Sequence, residues 1–319
     1  MSDKQAKLNA VLAQYQSAVT STMRTQMHNA DPTQDPLAAQ FMPDVRELNV
    51  CETELSDPIG DEAHSPLNGL VHRYPNRVLW TMAPTCAVYC RFCFRKEHIG
   101  RKGHALTREE REATLAYIAA DTGIEEVILS GGDPLHLPLA QLRKFLEPLN
   151  TIGHIRRVRI HTRIPVVDPQ RVNTDLLELL GWLTPRVVVV LHINHINELS
   201  EEAVRVINAL RAADVMLCSQ TVLLRGVNVD LESLAALFNG LLDVGVMPYY
   251  LHHLDLARGT QHFRLSLDEG LTLYRALRAT LSGIAVPRYI VEIPGGGGKV
   301  PVTDLTASQR AQLKLAGIF

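Results

Sequence analysis

"RVVVVLHIN", residues 186–194, is an unbroken apolar run that ends on a histidine and an asparagine. A strand that is apolar at successive positions buries both faces, which marks a parallel sheet covered by helices rather than a half-exposed antiparallel one. Comparable runs are "RVLWTMA" (77–83), "EEVILSG" (125–131), "RRVRIHT" (156–162), "VMLCSQTVLL" (215–224) and "MPYYLHHLD" (247–255). Helical patterns lie near 107–121, 138–149, 173–183, 199–213, 230–243 and 266–283, and Thr107, Ser200 and Ser266 are suitable N-caps for three of them. Strand–helix units in series fit an incomplete barrel or a doubly wound sheet. Ser130-Gly131-Gly132-Asp133, His161-Thr162-Arg163, His192, Asn194, His195, Gln220 and Asp255 fall at or just past strand C-termini. A barrel brings those ends to one mouth. The expected fold is therefore α/β, a partial (βα)6 TIM-like barrel over 76–283, preceded by a mostly helical segment (1–75) and followed by a C-terminal segment (284–319).

A formal charge of −2 over 319 residues gives no electrostatic footprint for nucleic acid or an anionic membrane, so a small molecule is the expected partner. No apolar run is long enough to span a bilayer, and the polar N-terminus does not read as a signal peptide; a cytoplasmic location is expected. Cysteine is used five times, and Cys86, Cys90 and Cys93 cluster in "TCAVYCRFCFRK" (85–96). In a reducing compartment such a cluster points to metal rather than disulfide. Structural zinc needs a fourth ligand, and His98 is the nearest histidine. An iron–sulfur cluster on three thiolates instead leaves one iron free for substrate or cofactor, with Tyr89 and Phe92 shielding it from water. Cys218, in an apolar strand, reads as a plain buried thiol.

"PGGGGKVP" (294–301) is the second unusual stretch. The Walker pattern requires Ser or Thr after the lysine, and Val300 stands there. A flexible surface turn and a Schiff-base lysine on a mobile loop remain as readings of Lys299.

The spacing in "CAVYCRFC" resembles the signature of radical S-adenosylmethionine (SAM) enzymes, whose [4Fe–4S] cluster binds SAM at its open iron. "SGGDPL" (130–135) is similar to their GGD-like turn. With "DPIGDEAHSPLNGLVHRYPNRVL", "CRFCFRK", "RIHTRIPV", "NHINE", "GVMPYYLHHLD", "HFR" and "PGGGGKVP", the chain from about Asp57 to Pro301 resembles the lysine 2,3-aminomutase family, which also carries pyridoxal 5′-phosphate (PLP). The resemblance implies an isomerase moving the α-amino group of L-lysine to the β-carbon, with arginine or ornithine as alternative substrates and a radical SAM enzyme without PLP as the alternative chemistry. It implies that Cys86, Cys90 and Cys93 hold the cluster and Lys299 the PLP. Ser130, Gly131, Gly132, Asp133 and His192 would lie at SAM, and Arg73, Tyr74, Arg77 and Gln220 at PLP. Arg95 would grip the substrate carboxylate, and Asp255 with Glu292 the distal ammonium.

Phe92 stands where the family often has histidine. Glu292 is one methylene longer than the aspartate of the free-lysine enzymes and is similar to the branch that makes β-lysine for elongation factor P, whereas "PGGGGK" looks like the catabolic branch. No cysteine follows Cys218, so the C-terminal zinc site of that catabolic branch is not expected. The expected partners are a basic amino acid and a reducing protein such as flavodoxin or ferredoxin, with a homo-oligomer left open; nucleic acid and membrane are not expected.

Overall fold

Residues 3–100 and 105–318 are described by a computed structural model, in which nine strands form one sheet whose spatial order is their chain order. The strands are β1 (Leu70–Tyr74), β2 (Arg77–Ala83), β3 (Glu126–Gly131), β4 (Arg157–Thr162), β5 (Arg186–His192), β6 (Met216–Val222), β7 (Met247–His252), β8 (Arg288–Ile293) and β9 (Gly298–Pro301). The helices α1 (Asp3–Gln14), α2 (Ser21–Gln26) and α3 (Pro36–Phe41) precede the sheet. Between parallel neighbours run α4 (Arg108–Ala120), α5 (Leu139–Leu146), the single turn α6 (Ile164–Val167), α7 (Thr174–Trp182), α8 (Glu201–Ala212), α9 (Leu231–Asp243) and α10 (Leu267–Thr280), and α11 (Ala307–Leu315) follows β9.

The strand patterns explain this architecture. Val187 to Leu191 of β5 are all buried, as a strand covered on both sides requires. In β4 the side chains alternate instead: Val158, Ile160 and Thr162 are buried, whereas Arg157, Arg159 and His161 are partly accessible. Apolar stripes on the helices complete the outer layer, for example Leu234, Leu237, Phe238 and Leu241 of α9. Thr107, Ser200 and Ser266 cap α4, α8 and α10, and the first and last form reciprocal capping boxes with Glu110 and Glu269.

The sheet is larger than the six parallel strands expected from the sequence. β2 to β8 are all parallel, while β1 and β9 pair antiparallel at the two edges. β8 is as apolar as its neighbours, with Tyr289 to Ile293 buried. It follows α10 and then turns back through the glycine run as a hairpin in which Ile293 opposes Gly298. Gly295, Gly296 and Gly298 have φ of +78°, +89° and +79°, a backbone that side chains disfavour, so the glycine run is the turn itself. The edges approach each other where the Lys299 amide donates to the Tyr74 hydroxyl at 3.2 Å. The result is a nearly closed barrel. Among the described residues, no helix is long and apolar enough to cross a membrane.

The N-terminal segment is bound to the β2–α4 loop through buried charge. Glu47 receives Arg91 at 2.9 and 2.6 Å and Lys96 at 2.9 Å, all with side chains at most 5% exposed. Removing one partner of a buried ion group leaves charge uncompensated and costs about 3–5 kcal/mol. Glu47→Gln is therefore expected to lower unfolding free energy by about that amount in urea; an unchanged transition midpoint would show the triad to be dispensable.

Candidate active site

The three clustered cysteines lie on the loop between β2 and α4. The Ser130–Asp133 turn, at the end of β3, holds that loop by its backbone: the Gly132 amide donates to the Ala83 carbonyl at 2.6 Å and the Asp133 amide to the Thr85 carbonyl at 3.0 Å. A Cβ on Gly132 would stand 2.2 Å from the Thr85 carbonyl oxygen, so only glycine permits this approach. The Asp133 carboxylate points into the fold, where it accepts from the Leu135 amide at 3.0 Å, the Thr162 hydroxyl at 2.6 Å and the Arg163 amide at 2.7 Å.

Cys86, Cys90 and Cys93 face one cavity inside the barrel mouth. Burial, and then neighbouring acidic groups, pushes the Cys86 thiol well up, with Asp133 the first of these. Cys93 is pushed up to about 11 by burial and by Cys90. Soft sulfurs crowded in one space resist ionising together and suit a positively charged metal cluster as the group that would offset them. Arg163 already supplies one positive charge, its Nη1 donating to the Cys90 sulfur at 3.0 Å. His98 is exposed and lines a neighbouring cavity, away from the thiols. The zinc reading thus lacks its nearest fourth ligand.

Strand alternation aims the remaining groups inward. Ser130 of β3, His161 of β4, His192 of β5, Gln220 of β6, His252 of β7, Asp255 just beyond it, Glu292 of β8 and Lys299 of β9 line the same cavity as the thiols. The Nε2 atoms of His161, His192 and His252 are buried without a hydrogen-bond partner. Burial first, and then nearby cations, depresses all three imidazoles: His252 falls to about 3 and the others well below the usual range. They are neutral at physiological pH and offer unfilled polar atoms to whatever occupies the barrel.

The charged wall lies at β8 and β9. The Lys299 ammonium pairs with Glu292 Oε1, while Glu292 Oε2 is buried without a hydrogen bond and Arg73 Nη1 approaches it at 3.6 Å. Burial, followed by the repulsion of Glu292, raises Asp255 to about 7 against the opposing pull of Lys299 and Arg95. Arg95 Nη2 donates to Asp61 Oδ2 at 2.6 Å, and Arg73 Nη2 to Asp61 Oδ1 at 3.2 Å, so one carboxylate holds both guanidiniums. Tyr74 is at the Lys299 backbone, and Arg77 stacks on the Tyr74 ring at 3.8 Å. Arg77 does not line the thiol cavity; it reaches Asn76 at 2.9 Å instead. Cys218 is buried, as its apolar surroundings suggest.

Four cavity or contact residues received no role from the sequence. His161, Arg163 and His252 carried a signal, since each falls at or beside a strand C-terminus. Asp61 carried none that separates it from Asp57 and Glu62 beside it.

The profile of the radical SAM superfamily matches residues 80–238, the span from β2 through most of α9. A putative L-lysine 2,3-aminomutase of Aquifex aeolicus is 39% identical over 289 residues, covering 90% of this chain and 78% of the relative. The L-lysine 2,3-aminomutase of Escherichia coli K12 is 40% identical over 276 residues, 86% of this chain and 80% of the relative. The chain belongs to the lysine 2,3-aminomutase family. The L-lysine 2,3-aminomutase of Clostridium subterminale is 39% identical over 272 residues, of which this chain spans 65% of the relative's length. Within the aminomutase family frame, the thiol loop and the glycine turn of β3 form one backbone-locked unit. Gly132→Ala is expected to displace the loop at a cost of about 1–3 kcal/mol. Iron content after anaerobic reconstitution should fall along with the thermal midpoint; full iron retention at an unchanged midpoint would contradict the locking.

Proposed function

We propose that the protein is a radical SAM and PLP-dependent 2,3-aminomutase that converts L-lysine to β-lysine. One observation carries the substrate assignment. The side chain of Lys299 is chemically the side chain of lysine, and its ammonium rests on Glu292 beside Asp255, inside the cavity that the three thiols border. The wall that seats this ammonium is built for an alkylammonium. When Lys299 is engaged by a cofactor, the same carboxylates are free for the ammonium of a substrate.

The donor sets fit the cofactors of the family. Cys86, Cys90 and Cys93 would hold the cluster, with Ser130, Gly131, Gly132 and His192 beside SAM. Lys299 would hold PLP through its amine on the glycine hairpin, with Arg73, Tyr74 and Gln220 around it and Arg77 supporting the Tyr74 ring. When bound, the cluster with SAM supplies one-electron chemistry at a substrate C–H bond, and PLP supplies a π-system through which the amino group changes carbons.

The chain's own residues do the placing. Arg95 binds the substrate carboxylate, and Asp61 orients that guanidinium. Asp255 and Glu292 bind the distal ammonium, and a site fixed at both ends presents one C–H bond. The neutral imidazoles of His161 and His252, which line the cavity together with Phe92 and Leu254, take no proton at physiological pH and help keep water from the reacting atoms. A low-potential protein such as flavodoxin or ferredoxin would supply the electron, and the cytosol is the fitting compartment.

The test is anaerobic incubation with SAM, PLP, a reductant and a panel of basic amino acids. β-Lysine should be the main product; preferential turnover of arginine or ornithine would move the substrate assignment, and no SAM cleavage at all would remove the chemistry. Asp255 adds a pH dependence. A carboxyl group raised to about 7 is protonated below that pH and loses its charge. KM for lysine should therefore fall as pH rises through about 7 and level off above it. Asp255→Asn should abolish that dependence and raise KM more than about tenfold, since an unpaired buried charge costs about 2–5 kcal/mol. A flat KM profile in the native enzyme would argue against this role for Asp255.

A further inference from the structure

Arg163 follows the last residue of β4, and its side chain is 7% exposed. Nη2 is held by Glu198 Oε2 and by Gln40 Oε1 at 2.9 Å. Glu198 is itself fixed, its other oxygen accepting from the Asn194 and His195 amides at 2.8 and 3.0 Å. The rings of Phe41 and Phe92 lie 4.8 and 5.9 Å from the guanidinium carbon and confine it. Glu198 and Gln40 satisfy one terminal nitrogen. The other, Nη1, is directed at the Cys90 sulfur at 3.0 Å. A purely structural arginine in this pocket needs no thiol partner, so the second contact has to be explained separately.

We propose that Arg163 is a positioning residue that sets the reduction potential of the iron–sulfur cluster held in part by Cys90, through a hydrogen bond to that sulfur from an immobile positive charge. This inference rests on the cluster reading of the three cysteines given above. Reduction adds one electron to the cluster and neither makes nor breaks a bond; the electron comes from a low-potential donor such as a flavodoxin-type protein. Hydrogen bonds to ligand sulfurs and nearby positive charge stabilise the more negative, reduced form and raise the potential. The low dielectric around a buried guanidinium enlarges the effect, and Glu198 offsets part of it. The charge of the Arg163–Glu198 pair is balanced, so the hydrogen bond and the net charge can be varied separately.

The test is a potentiometric titration of the reconstituted protein under anaerobic conditions, followed by electron paramagnetic resonance of the reduced cluster. Arg163→Met combined with Glu198→Gln removes the donor with no change in net charge, and keeps an amide oxygen for the Asn194 and His195 amides. Its cluster should be about tenfold harder to reduce, a midpoint about 59 mV more negative for one electron. Glu198→Gln alone leaves the Arg163 charge unbalanced and should move the midpoint the other way. A double variant with full iron content and the native midpoint overturns the proposal. If the double variant takes up no iron, the single variant decides: an unchanged or more negative midpoint overturns it, and a more positive one supports it. Native protein that takes up no cluster fails the proposed function itself, a result distinct from both.

Discussion

The Glu47 carboxylate, buried with Arg91 and Lys96, is the interaction on which the site depends. Both cations come from the cysteine loop, and the anion comes from the segment before the sheet. Taking these three groups out of water is costly, and their mutual attraction compensates only in a tight, fully hydrogen-bonded geometry. Arg91 donates further to the Gln16 carbonyl at 2.7 Å, and Lys96 to the Arg91 carbonyl at 3.0 Å and the Gly259 carbonyl at 3.3 Å. The loop that carries three thiols is thereby given one conformation before any cofactor arrives. Pre-organisation of this kind is what metal ligation at a fixed position requires.

The same device recurs around the mouth. Glu198 fixes Arg163 against Cys90, and Asp61 fixes Arg73 and Arg95 together. In each case a carboxylate from outside the barrel strands orients a guanidinium of the cavity wall, Arg163 or Arg95, and Asp61 holds Arg73 beside Glu292 as well. The N-terminal segment, the 57–64 loop and the turn after β5 therefore do more than cover the barrel: they supply the counter-charges that let cations sit there in fixed directions. Gly60 joins this loop to the glycine hairpin, since a Cβ at Gly60 would lie 2.3 Å from the Gly296 amide nitrogen. The Lys299 turn and the arginine clamp are consequently in contact, and a change at one is felt at the other.

Much of this was legible in the sequence for physical reasons. Continuous apolar runs identify doubly covered strands, and polar residues at their ends identify the mouth, where Gln220, His192 and Asp255 line the cavity. The local pattern of Cys86, Cys90 and Cys93 needs no knowledge of tertiary structure. β8 escaped although α10 precedes it, because it leads into the glycine hairpin rather than into a further helix. Asp61 escaped for a different reason. Its partner Arg95 lies 34 positions away, and the Cys90 partner of Arg163 lies 73 away, so the strand-end position of Arg163 marks the mouth without marking that contact. Nothing local distinguishes Asp61 from a solvated charge.

The central claim is that one cavity serves both the thiol triplet and the Lys299 amine. An anaerobic crystal structure of the protein reconstituted with iron and sulfide and supplied with SAM and PLP tests it most directly. The account predicts PLP joined to Lys299 Nζ and SAM at the cysteine-bound cluster, both within the space bounded by β3 to β9. PLP bound on the outer surface, or Lys299 turned away from Glu292 into solvent with both cofactors present, would contradict it.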